Sequence, residues 1–172
     1  VAFDRSYHRL PPALQERLRA VSRFPFPFFA EGAALMWGLS ASDEDVVAAR
    51  QHLHALTQRS LLEVEGRFPD GTPATYRFQP ALQQALARRV SEGERAALEV
   101  GYAAYGYWFA DMAFGQIGRQ PGVARLARMM TAELVALLDV QPDERLAQYC
   151  WRLGYILQTF GHNDIAEQVL AR

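Results

Sequence analysis

The sequence predicts a mainly helical protein whose first half carries a single two-stranded β-ribbon, and three observations lead there. From Asp43 onward, Val46, Ala49, Leu53 and Leu56 recur at the 3-4-3 spacing of one buried helix stripe, with Val47, Arg50, His54 and Ala55 between them. The period then changes. Leu61-Leu62-Glu63-Val64-Glu65 starts an alternating strand, Phe68-Pro69-Asp70-Gly71-Thr72-Pro73 supplies turn chemistry, and Thr75-Tyr76-Arg77-Phe78-Gln79 returns as a second strand. Beyond Glu94 the apolar spacing is helical throughout.

Taken in order, the first helix is expected over Pro12–Val21, with Leu14, Leu18 and Val21 inward and the Pro11-Pro12 pair setting its start. Phe24-Pro25-Phe26-Pro27-Phe28-Phe29 is barred from regular helix by its alternating prolines, so its four phenylalanines are expected to plug the core as an extended turn. A short helix over 30–38 ends at a glycine. Ser42 is the expected N-cap of the next helix, and Asp43, Glu44 and Asp45 complement its positive end. After the ribbon a closing helix is expected over 82–89, and Ser91-Glu92-Gly93 marks a boundary between domains at 1–91 and 92–172. In the second part, helices are expected over 94–114, 123–140 and 144–160 and from about 165 onward, with a glycine-bearing loop over 115–122. Leu98, Tyr102, Tyr105, Phe109 and Met112 make the first of these too aromatic for a solvent helix. Antiparallel helices joined by short loops imply a stack of helical hairpins.

With 172 residues, half of them hydrophobic, the chain can bury a real core in one or two small domains. A net charge of −1 announces no basic field for nucleic acid or membrane. The lone Cys150 cannot close an intramolecular disulfide and fits a reducing, cytoplasmic compartment. No signal peptide and no membrane-spanning apolar run is seen. The chain begins at Val1 directly ahead of a folded-looking segment, which suggests a part of something longer.

Chemistry finds little purchase. All 18 basic residues are arginine, so neither a phosphate-loop lysine nor a Schiff-base amine exists here. His52 and His54 are two apart on a helix and face different sides, which rules out a shared metal of the i, i+4 kind. No serine sits in a Gly-x-Ser-x-Gly elbow, and Cys150 between Tyr149 and Trp151 reads as a buried, inert thiol. No catalytic residue and no metal ligand is therefore expected.

A helix running straight into a β-ribbon, with more helix upstream, is the layout of a winged helix. Such a module reads DNA by inserting the amino end of the helix before the wing. Here that end is Asp43-Glu44-Asp45, and residues 1–91 carry eleven arginines against nine acids, so phosphate contact is disfavoured.

Several motifs together resemble the winged-helix segment of STAND (signal-transducing AAA-related) ATPases of the NB-ARC type. They are Ser6-Tyr7-His8-Arg9-Leu10-Pro11-Pro12, Val21-Ser22-Arg23-Phe24-Pro25, Leu56-Thr57-Gln58-Arg59-Ser60-Leu61-Leu62 and Tyr76-Arg77-Phe78. The resemblance implies an "MHD-like" position after the wing that approaches bound ADP, and on this chain it falls on Phe78, Gln79 and Pro80. Glutamine stands at the histidine position and proline at the aspartate position; Gln79 ending a strand and Pro80 starting a helix explains the same residues. Leu153, Gly154, Leu157, Gly161, Ala166 and Leu170 are similar to the tetratricopeptide (TPR) signature, and glycine and alanine there let two helices approach closely.

The resulting expectation is a winged helix followed by TPR-like antiparallel hairpins. It would be a non-catalytic regulatory part of a bacterial-type STAND protein, coupling a TPR-like sensor to a nucleotide-binding core by protein–protein packing. ATP or ADP and Mg belong, on this resemblance, to the parent protein's core. The implied partners are that core and an unknown protein or peptide ligand, with no nucleic acid and no membrane. The alternative is a DNA-binding winged-helix transcription regulator with a helical dimerisation or effector domain.

Overall fold

A computed structural model describes residues 2–68 and 71–172, the side chains from residue 5 onward. The protein is mainly helical with one small antiparallel sheet. The chain divides into two compact units, Val1–Tyr102 and Ala103–Arg172.

The first unit opens with α1 (Ala2–His8), which the sequence pattern does not announce, and α2 (Pro12–Val21), which it does. Pro12 occupies the first helical turn, where a missing N–H costs nothing, and Leu14, Leu18 and Val21 are buried as expected. Phe24 and Phe28 stack at 4.7 Å and are buried, whereas Phe26 and Phe29 are only half-buried. Two of the four phenylalanines therefore fill the core. The carbonyls of Ser22 and Phe24 accept from the Gln83 side-chain amide at 3.1 and 2.6 Å, which ties this proline-broken segment to α5 (Pro80–Ala87).

Helix α3 (Ala30–Met36) is shorter than expected and ends through Gly38 at φ +73°, with Leu39 N–H donating to the Ala34 carbonyl. Helix α4 (Asp43–Thr57) begins as the sequence predicts: Ser42 Oγ accepts from Asp45 N–H, and Val46, Ala49, Leu53 and Leu56 are buried. Its end repeats the geometry of α3, with Leu61 N–H on the Leu56 carbonyl, but the left-handed residue is Ser60 at φ +55°. The strands then differ from the expected ones. β1 spans Glu63–Arg67 and β2 Pro73–Arg77. Leu61 and Leu62 are both buried, so they cannot alternate as strand neighbours, and they bridge helix to ribbon instead. Glu63 pairs with Arg77 and Val64 with Tyr76, and the register slips on either side of Gly66. Of the turn between the strands, Pro69 and Asp70 lie outside the described residues; Phe68 N–H donates to the Thr72 carbonyl at 2.9 Å. Phe28 pairs with Tyr76 through two 2.9 Å hydrogen bonds, adding a one-residue third rung to the ribbon.

Helix α6 runs over Glu92–Gln116, longer at both ends than the expected 94–114. Ser91 and Glu94 form a capping box: Glu94 N–H donates to Ser91 Oγ at 3.2 Å and Ser91 N–H to Glu94 Oε2 at 2.8 Å. The Ser91-Glu92-Gly93 stretch thus starts a helix. Within the first unit, Gly101 lets α6 approach α3, because a Cβ there would stand 3.0 Å from the Leu35 carbonyl oxygen and Met36 Cα.

The second unit holds the rest of α6, then α7 (Pro121–Ala136), a 3₁₀ turn (Leu137–Val140), α8 (Asp143–Thr159) and α9 (Asn163–Leu170). The expected loop over 115–122 shrinks because α6 persists to Gln116 and Pro121 fits the first turn of α7. The expected helix over 123–140 tightens after Ala136, burying Leu137 and Leu138 ahead of Gln141, whose extended backbone suits the following proline. Tyr105, Phe109, Met130, Leu134, Tyr149 and Leu153 are buried in this unit. The Tyr149 hydroxyl donates to the Leu134 carbonyl at 2.7 Å, so its polar atom is satisfied.

Candidate functional site

The residues at the expected nucleotide-proximal position occupy the turn from β2 into α5. Phe78 is buried with its ring 6.3 Å from Phe28, so its side chain belongs to the core. Gln79 is exposed and caps α5 with its backbone alone, while Pro80 takes the first helical position. The Gln79 amide donates to Glu63 Oε1 at 3.0 Å, and Arg77 Nε donates to Glu63 Oε2 at 3.0 Å. These two bonds, Gln79's first, hold the Glu63 carboxyl below its usual range. Phe78, Gln79 and Pro80 therefore present one neutral amide, already committed to a carboxylate.

The TPR-like residues meet in the α8–α9 hairpin. Leu153, Gly154, Leu157 and Ala166 are buried. Gly161 turns the chain at φ +80°, with His162 N–H on the Leu157 carbonyl at 2.9 Å. At Gly154 a Cβ would fall 2.7 to 3.1 Å from three side-chain carbons of Leu170, so the glycine leaves room on α8 for the Leu170 side chain of α9. Leu170 is otherwise half-exposed.

The buried stripe of α8 says nothing of the face on its other side. Trp151 and Tyr155 are 55% and 43% exposed, unusual for such large rings, and both lean on Phe114 of α6 at centroid distances of 4.6 and 4.9 Å. Arg152 donates to Asp111 Oδ1 at 2.6 Å, and the Tyr107 hydroxyl donates to Gln148 Oε1. Arg145 and Arg152 each hold their guanidinium carbon 5.2 Å from the Tyr107 ring. An i, i+4 aromatic pair on the polar side of a helix is the signal that points to such a face. An apolar patch rimmed by polar groups is the usual composition of a protein-binding surface.

The remaining candidates are quiet. Burial raises the Cys150 thiol above its ordinary range, which disfavours the reactive thiolate. His52 packs edge-on against Trp37 at 5.9 Å and its pKa is lowered, by burial and then by Arg17. Among the described residues no cluster of three or more His, Cys, Asp or Glu could hold a metal ion, and no helix is long and apolar enough to cross a membrane. Compared with family models, with curated proteins and with solved structures, the chain gives no match.

Proposed function

We propose that this chain is a regulatory, non-catalytic part of a bacterial-type STAND signalling ATPase, a winged helix followed by the first TPR-like hairpin. The observation that carries the reading is the antiparallel pairing of Phe28 with Tyr76. In the first unit two helices, a one-residue strand, two further helices and the ribbon follow in order, with Phe28 hydrogen-bonded to the last strand, and this order supports the winged-helix reading. Close packing at Gly154 supports the repeat reading of α8 and α9. The exposed rings of Trp151 and Tyr155 support a protein or peptide partner on the helical unit.

In this reading the winged helix packs against the parent protein's nucleotide-binding core, and the repeats sense a ligand. The work is done by a shift between two packed states. ATP or ADP and Mg are assigned to the core, because Gln79 carries no charge and its amide is committed to Glu63. Two measurements test the proposal. The gene segment encoding the residues upstream of Val1 is expected to specify a glycine-rich loop with lysine and then an Asp-rich strand; a segment lacking both overturns it. The 172-residue chain is expected to show no tight ATP or ADP binding by calorimetry, and micromolar affinity would overturn the assignment of nucleotide to the core.

A further inference from the structure

Within the first unit a cleft of about 230 Å³ opens where the end of α2, the end of α5 and the first turns of α6 meet. Ala87, Val90 and Leu98 give it an apolar side, and Arg19, Arg23, Arg95 and Glu99 give it a charged one. The three arginines are not equivalent. Arg19 is fully engaged: Nε and Nη2 donate to Glu94, and Nη1 donates to the Tyr7 hydroxyl at 2.7 Å. Arg23 lies 4.1 Å over the Tyr102 ring and uses Nε alone, in a long 3.3 Å bond to Glu99. Its two Nη groups have no hydrogen-bond partner among the described residues, and neither has the Arg95 side chain. The cleft therefore presents unfilled guanidinium donors beside apolar carbon. Guanidinium forks match the paired oxygens of carboxylates and phosphates.

We propose that this cleft binds a small organic oxyanion, with Arg23 and Arg95 holding the charged end and Val90 and Leu98 packing on its apolar body. At about 230 Å³ the cleft is smaller than the roughly 300–1,000 Å³ of sites for drug-sized ligands, which suits a ligand of about one ring. Glu99 stands in for the ligand as Arg23's partner, and the oxyanion displaces it. The inference is independent of the regulatory reading, since it rests on the cleft alone.

Calorimetric titration of the 172-residue chain with phenyl phosphate, benzoate and inorganic phosphate tests it. Phenyl phosphate or benzoate is expected to bind, and the tighter of the two identifies the oxyanion. Inorganic phosphate is expected to bind about tenfold more weakly than phenyl phosphate, for want of an apolar body. Arg95→Gln, an exposed change, is expected to weaken binding about tenfold, the effect of one lost charge-assisted hydrogen bond. Glu99→Gln is expected to tighten it by removing the competing carboxylate, a gain that a merely structural Glu99 would not give. Absence of binding by both ring compounds overturns the proposal. So does inorganic phosphate binding as tightly as phenyl phosphate, or affinity unchanged in Arg95→Gln.

Discussion

Single residues carry more of this fold than their composition suggests. Glu94 accepts from Arg19 Nε at 3.1 Å and from Ser91 N–H at 2.8 Å, and these bonds, Arg19's first, bring its carboxyl down to about 2. A carboxylate held below its unfolded value stabilises the protein above that value, and the contribution fades as pH falls from about 4.5 toward 2. Urea denaturation from pH 7 to 2.5 should show that decline. Glu94→Gln should flatten it and cost on the order of 1–2 kcal/mol at pH 7, a value discounted because the side chain is 28% exposed. Gly154 makes the same point by omission. Gly154→Ala removes a poor helix former but drives a methyl into Leu170, so a net loss of about 1 kcal/mol is expected. Leu170→Ala in the same chain should abolish that loss; a Gly154→Ala cost that persists would show the two helices packing differently.

At the scale of elements, three helices end with the same pair of hydrogen bonds around a left-handed residue, at Gly38, Ser60 and Gly161. The glycines mark two of these ends in the sequence. Serine hides the third, so the change of period is legible in the sequence while the strand itself begins two residues after the start of the alternation at Leu61. Serine also bears a Cβ cost there that glycine does not, so Ser60→Gly should stabilise the protein by roughly 0.5–1 kcal/mol in chemical denaturation. A loss would show that the Ser60 side chain has a role of its own. Phe28 is the opposite case, an element of one residue. Buried, stacked on Phe24 and paired with Tyr76, it should cost about 3–5 kcal/mol when changed to alanine. Alternating prolines excluded helix at Phe28, but no local rule says that it pairs with a strand 48 positions later.

For the whole molecule the charge distribution separates what the two readings of the first unit predict. The amino end of α4 carries Asp43, Glu44 and Asp45, and Asp45 is held below its usual pKa by the Ser40 hydroxyl and backbone N–H, so it stays ionised. Duplex DNA should therefore not be retarded in an electrophoretic assay at physiological salt. A sequence-selective shift with a steep salt dependence would favour the transcription-regulator reading instead.

What the sequence determined by itself was local in origin: the stripe of α4 and its Ser42 cap, the start of α2 at paired prolines, the change of period into a ribbon, and the absence of lysine. Each follows from residues within a turn or two of one another, where period and backbone chemistry act directly. Tertiary structure alone decided the Phe28 rung, the pairing of Glu94 with Arg19 and the arginine cleft beside it. It also decided which aromatics of α8 stay in solvent. Those depend on which distant surfaces meet, and a helix stripe states only that a face is buried, not what buries it.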